Sequence, residues 1–130
     1  MKPRVHFITL PVADLDAARR FYVDGLGWTP VLDVAGEVIF IQVGPGLLLA
    51  LYAADGPVTL AHNVDAGAAV AEILEQAQAA GGRIVRPAGP APEFSGTSGH
   101  FEDPDGHRWE IAHNPGWHVD PDGRVHIGPA

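Results

Sequence analysis

The sequence contains no cysteine, which excludes disulfides, thiolate metal sites and a thiol nucleophile. It is also short of bases, with eight Lys and Arg against sixteen Asp and Glu, a formal net charge of -8. That balance argues against a nucleic-acid backbone as partner. It leans any charged small-molecule ligand toward the cationic. Long apolar runs are missing as well. The longest, Leu47 to Ala54, is too short to span a bilayer, so no membrane partner is expected. The first twenty residues, "MKPRVHFITLPVADLDAARR", place acids early and lack a secretory apolar core. The cytoplasm is the expected compartment.

What is present suits one globular domain over residues 1–130, 46% apolar and long enough to build a core. "VHFITLPV" at 5–12 alternates as a strand does, and Asp14 caps a helix, "DLDAARRFYVDG", that stops at Gly25 and Gly27. Three strands follow: "WTPVLDV", "EVIFIQV" and "LLLALYA". The pattern then repeats. "VTLAHNV" at 58–64 reads as a strand, and Asp65 as the cap of a longer helix. That helix carries Val70, Ile73, Leu74 and Ala77 on one face and ends at Gly81-Gly82. "RIVRPAG", "SGHFED" and "HRWEIAH" complete three more strands, and the Pro/Gly-rich stretch at 86–99 reads as a loop beside a site. Val12 and Val64 stand 52 residues apart, each followed by an acid and a helix. This weak repeat predicts an α+β fold. Two βαβββ modules, 1–56 and 57–115, would form one curved eight-stranded mixed sheet with helices outside and a groove inside, and 116–130 would add a C-terminal hairpin.

Two identical turn sequences set registers. Asp103-Pro104-Asp105-Gly106 suits a type I turn closed by a left-handed glycine, a three-residue hairpin loop with a bulge. His100 then faces Glu110, Phe101 faces Trp109 and Glu102 faces Arg108. The apolar Phe101, Trp109 and Ile111 should pack under a helix, and His100, Glu102, Arg108 and Glu110 should line a polar face. Asp120-Pro121-Asp122-Gly123 repeats the device in the tail. It sets Val119 against Val125, Trp117 against Ile127, and His118 against His126. The apolar side of that hairpin should be buried against the domain or a partner. The two imidazoles should be solvent-facing and structural, and their joint protonation should mildly weaken the hairpin.

On "FITLPVADLDAARRFYVDGLGW" and "SGHFEDPDGHRWEIAHNP" the chain resembles the vicinal oxygen chelate superfamily: glyoxalase I, extradiol dioxygenases, fosfomycin resistance enzymes and bleomycin resistance proteins. The resemblance implies paired βαβββ modules, a concave ligand site and a homodimer. It also implies four metal-ligand positions, on the first and last strand of each half. Here they carry Phe7, Ala50 (or Leu49, if the alignment slips by one), Thr59 and Glu110. His6 lies one residue from the first position and so points to the opposite face. One carboxylate does not make a divalent site, so no metal and no other cofactor are expected.

The closest analogue in that superfamily is its drug-binding branch. The expected function is a small-molecule binding protein that holds an aromatic or natural-product-like ligand, with resistance by sequestration as its role. The expected ligand-binding residues are Phe7, Thr9, Trp28, Phe40, Thr59, His100, Arg108 and Glu110, with Phe7, Trp28 and Phe40 as an aromatic wall. The alternative is a metal-independent lyase or isomerase in which Glu110 and His100 act as acid and base. A plain structural pair in a wet groove is the third reading, and most of the seven histidines read as ordinary imidazoles. Asp24 and Asp33 read as solvated loop or cap residues.

Overall fold

The fold is seen in a computed structural model that describes residues 1–128. The first half contains β1 (Phe7–Val12), α1 (Leu15–Arg19), β2 (Pro30–Val34), β3 (Val38–Gly44) and β4 (Leu47–Ala53). The second contains β5 (Thr59–Asn63), α2 (Gly67–Ala79), β6 (Arg83–Pro90), β7 (Thr97–Glu102) and β8 (Arg108–His113). The eight strands form one mixed sheet in the order β2-β3-β4-β1-β5-β8-β7-β6. At its centre β1 and β5 run antiparallel, with Phe7 opposite Ala61 and Thr9 opposite Thr59. Phe7 and Thr59, which open these two strands, stand at the 52-residue offset of the repeat.

The pleat sends alternate residues to opposite faces. Ile8, Leu10, Val12, Ile39, Ile41, Leu49 and Leu51 pack with Leu15 and Tyr22 of the first helical segment. Phe101 and Ile111 pack with Val70, Ile73 and Leu74 of α2. The helices therefore share one face of the sheet, and the other face is free of them. The β7–β8 hairpin has the expected register. Phe101 pairs with Trp109, His100 with Glu110 and Glu102 with Arg108, and Gly106 takes the left-handed conformation at φ 86°. Phe101 and Trp109 stack with ring centroids 6.1 Å apart. Trp109 is half-buried at the rim of the cluster rather than sealed inside it.

Several local expectations are corrected. Asp14 caps the first helix by accepting from Ala17 N–H at 3.0 Å, but α1 passes at Arg20 into a π-helical turn, Arg20–Gly25. Gly25 stays inside this turn, and only Gly27, at φ 75°, takes the left-handed position. Asp65 does not cap α2. Val64 N–H still donates to Ala112 of β8, so the chain leaves the sheet late and Ala66 becomes the N-cap without a side-chain bond. Gly67 opens the helix because a Cβ there would lie 3.1 Å from Thr97 Oγ1. The expected loop at 86–99 is mostly strand. Residues to Pro90 belong to β6, an edge strand broken by register shifts, where missing proline donors are tolerated. Asp33 lies in β2 and takes a two-pronged bond from Arg19, Nε at 3.1 Å and Nη2 at 2.5 Å, tying the helix to the sheet.

The tail forms β9 (Trp117–Val119) and β10 (Val125–Ile127), paired as the second turn predicts. Pro129 and Ala130 of the expected hairpin segment lie outside the described residues. The hairpin lies across the helix-free face of the first half. Gln42 holds it from below, donating to Gly123 O at 2.7 Å and accepting from Val125 N–H at 2.9 Å. Leu48, on the helix-free side of β4, is 0% exposed, and Val125 is 3% exposed. The expected mutual weakening by His118 and His126 is corrected. Both approach the Asp120 carboxylate, at 3.3 Å and 2.7 Å, so protonated rings meet an anion first. His126, then His118, holds the Asp120 carboxyl below its usual range.

Face assignment is testable by mutation. Phe101→Ala should cost about 3–5 kcal/mol and Trp109→Ala about 3 kcal/mol, as large rings removed from a packed cluster do. Glu110→Gln should leave stability nearly unchanged. Urea unfolding of the three variants checks this, and a Glu110→Gln loss larger than that of Phe101→Ala would show the faces to be reversed.

Candidate functional site

The central registers lay the helix-free side chains out in rows. One row runs Leu48, Phe7, Ala61, Glu110, His100 across β4, β1, β5, β8 and β7. The next runs Phe40, Ala50, Thr9, Thr59, Arg108, Glu102. Seven of the eight expected ligand residues thus share one face: Phe7, Thr9, Phe40, Thr59, His100, Arg108 and Glu110. Trp28 does not join them. Its ring lies 5.5 Å from that of Tyr22, and Tyr22 packs into the helix-side core.

Phe7 and Phe40 meet edge to face at 5.2 Å. The third ring against Phe7 is Trp117 of the tail, also at 5.2 Å. Sequence reasoning buried Trp117 but did not place it beside the site; the apolar alternation of the tail was its only signal. Trp117 also borders a polar cleft of about 650 Å³ that runs past Arg4, His6, Asn63 and Asp65.

On the other side of Ala61 the row turns polar. His100 Nε2 lies 3.3 Å from Glu110 Oε2, and the two side chains are 24% and 25% exposed. A carboxylate only accepts, so this contact puts the hydrogen on Nε2 of a neutral His100. In the next row Glu102 accepts from Arg83 at 2.5 Å and Arg108 at 3.3 Å, and Arg83 above all holds its carboxyl below the usual range. Arg108 Nε is buried with no hydrogen-bond partner among the described residues.

The four metal-ligand positions that the resemblance implies can now be located. Phe7 and Thr59 open β1 and β5. Glu110 lies beside Ala61, and the equivalent neighbour of Thr9 on β4 is Ala50. Leu49 belongs to the helix-side core, which settles the one-residue choice. A ring, a methyl and a hydroxyl beside one carboxylate do not fit a metal needing three or four donors. Among the described residues no three His, Asp or Glu side chains form a group that could hold one.

His6 occupies the opposite face, as its offset requires, and does structural work. Asn63 N–H donates to its Nδ1 at 2.9 Å. His62, 4% exposed, donates from Nδ1 to Arg4 O at 2.8 Å. The His6 and His62 rings stand 5.3 Å apart, and Trp117 lies 5.6 Å from His6, edge-on. A backbone N–H cannot accept, so His6 must keep Nδ1 unprotonated. Burial holds its pKa below the ordinary value, with His62 and Arg4 acting in the same direction and Asp65 opposing them.

The family model of the Glyoxalase/Bleomycin resistance protein/Dioxygenase superfamily matches residues 4–111, and the chain belongs to that superfamily. A glyoxalase-related enzyme from Fulvimarina pelagi is 41% identical over 98% of this chain and 99% of its own, with a TM-score of 0.51. Two solved structures share the fold at lower identity. An NAD-dependent benzaldehyde dehydrogenase from Legionella pneumophila is 23% identical, covering 83% of this chain and 97% of that one, at TM-score 0.70. The Mn(II)-bound glyoxalase from Novosphingobium aromaticivorans is 20% identical, covering 97% of this chain and 41% of that one, at TM-score 0.66. No curated protein matches. No helix among the described residues is long and apolar enough to cross a membrane.

The His6 geometry generates a pH prediction. Its folded pKa lies below the ordinary 6.5, so the unfolded chain takes up the proton first as pH falls. The stability contributed by neutral His6 is present above about pH 6.5 and is lost as pH drops from there toward the folded pKa. His6→Gln keeps an acceptor for Asn63 N–H without a titrating ring. Melting temperatures from pH 8 to pH 5 should fall more steeply for the wild type than for this variant. Equal slopes would remove His6 from the account.

Proposed function

We propose that this chain is a small-molecule binding protein of the superfamily. In this reading it holds an aromatic or natural-product-like ligand on the helix-free face without a catalytic divalent ion, and protects by sequestration. The observation that carries the reading is the content of the four central positions: Phe7, Ala50, Thr59 and Glu110. The ring of Phe7, backed by Phe40 and Trp117, supplies an apolar wall for a flat ligand. Ala61, 2% exposed, keeps the floor low between that wall and Glu110. Thr9, Thr59 and Arg108 offer hydrogen bonds, and Glu110 accepts from an N–H or ammonium on the ligand. Trp28 has no part in this wall. A cytoplasmic homodimer belongs to the same reading. Phe21, Leu26, Trp28 and Val31 expose apolar surface on the first half that a second copy would cover, and sedimentation at micromolar concentration should give the dimer mass.

The His100–Glu110 contact at 3.3 Å favours a second reading, a metal-independent lyase or isomerase with these two groups as acid and base. The glyoxalase-related enzyme from Fulvimarina pelagi is the relative that keeps this reading open.

Metal analysis of the purified chain should find well under one Mn, Fe, Ni or Zn per protein. Native mass spectrometry against a natural-product panel should then retain a ligand unchanged in mass. Glu110→Gln should weaken that ligand about tenfold, the loss of one hydrogen bond to a charged group, with little change in melting temperature. A stoichiometric metal bound through Glu110 sinks the proposal. A ligand released as product, with turnover lost in Glu110→Gln, transfers the case to the enzyme reading.

A further inference from the structure

We infer that the ligand carries an anionic group, a carboxylate, that docks on Arg86. The inference rests on the reading that the helix-free face of the second half binds a small molecule, and it names the chemistry of one end of that molecule.

Arg86 is the cross-strand partner of His100 and so extends the Phe7–Ala61–Glu110–His100 row onto β6. Its side chain is half-buried and has only neutral partners. Nη2 donates to Ser98 Oγ at 2.6 Å and Nη1 to Ser98 O at 3.4 Å, and Ser98 itself is 0% exposed. Arg83 and Arg108 share Glu102, and Arg19 has both Asp16 and Asp33. Among the described residues no carboxylate lies within ion-pair distance of Arg86. In a chain with twice as many acids as bases, a half-buried cation without a counter-charge is a position awaiting one.

The remaining donors have the right form. A guanidinium presents five N–H groups in a rigid fork, and Ser98 takes only two of them. A planar two-oxygen group matches what is left. His100 stands alongside with Nε2–H turned to Glu110 at 3.3 Å, which keeps the neighbouring carboxylate engaged. The local charge supports the same sign. Arg83, Arg86 and Arg108 face Glu102 and Glu110 across β6–β8, three cations to two anions in a protein of net charge -8. This local balance opposes the cationic preference of the overall composition. Glu110 lies two strands from Arg86, about 10 Å at the usual spacing. One molecule can therefore lay its ring against Phe7 over Ala61, present a donor to Glu110 and reach past His100 with a carboxylate to Arg86.

Benzoate and benzamide test this, since they differ in charge and hardly in shape. Titrations followed by amide NMR should show benzoate binding at least about tenfold more tightly than benzamide, with shifts at Ser98 and His100. Arg86→Gln should erase the difference, and Arg86→Lys should keep part of it, because it keeps charge without the fork. Equal affinities, a difference that survives Arg86→Gln in a variant with wild-type amide spectra, or no binding of benzoate in the tens of millimolar would each overturn the proposal. If Arg86→Gln fails to fold, the wild-type benzoate–benzamide comparison and the position of its shifts decide alone. Glu110→Gln separates the two proposals. Loss of the natural-product ligand with the benzoate preference intact leaves Arg86 as the anion site. Loss of the preference with that ligand still held leaves only the general binding reading.

Discussion

The antiparallel seam between β1 and β5 governs everything on the helix-free face. Phe7 sits opposite Ala61 and Thr9 opposite Thr59, and because side chains alternate with a period of two, a slip of one residue would exchange the faces of both halves. The seam does not act alone. Each of its strands has a parallel neighbour, β4 beside β1 and β8 beside β5, and these carry Ala50 and Glu110 to equivalent places. The two helix-side clusters hold the register by burial. Moving Ile8, Leu10 and Val12, each partly buried, out from under the first helix would forfeit part of the about 1.5–3 kcal/mol that full burial of such a side chain contributes. The same parity that buries this core therefore decides that Phe7 and not His6 looks into the site.

The two halves share an architecture but use the helix-free face differently. In the first half the tail hairpin covers it: Leu48 is sealed, and both ends of the Gln42 amide are spent on hairpin backbone. In the second half Glu110, His100, Arg108 and Arg86 remain partly open. The boundary between them runs along Phe7 and Trp117, whose rings stand 5.2 Å apart. A face that repeat symmetry would make a broad channel is in this way reduced to one polar half with an aromatic edge.

Much of this was legible where the determining physics is local. The two Asp-Pro-Asp-Gly turns specify their own dihedrals through proline and glycine, and both registers followed residue by residue. The βαβββ repeat was legible from strand alternation, the Asp14 cap and the apolar face of the second helix. What escaped depended on contacts between distant segments. Asp65 has the chemistry of a cap, but the Val64–Ala112 bond keeps the chain on the sheet past it. Prolines 87 and 90 suggested a loop, yet β6 is an edge strand where their missing donors go unnoticed. Trp28 was assigned to the wall by residue type, whereas the turn after the π-helical segment lays it on Tyr22. Arg86 fell in both the expected strand at 83–89 and the expected loop at 86–99 and was given no role, and only pairing with β7 shows it beside His100.

An aromatic ring where a divalent ion would sit changes more than the ligand count. An ion is the largest local charge in such a site and sets the protonation of every group around it. With Phe7 in that place, the proposed binding draws its affinity from buried apolar area in the centre and directional bonds at the margin. The margin here has that form. Glu102 is paired with two arginines, Glu110 meets the His100 imidazole, and the Arg86 side chain is bonded only to a serine. Charge has moved from the middle of the sheet to its β6–β8 side, where it can orient a ligand. The central row, from Phe7 across Ala61, offers shape rather than charge. On the proposed reading a site divided in this way discriminates by how far apart a ligand holds its ring and its polar end groups, a length that the strand spacing sets.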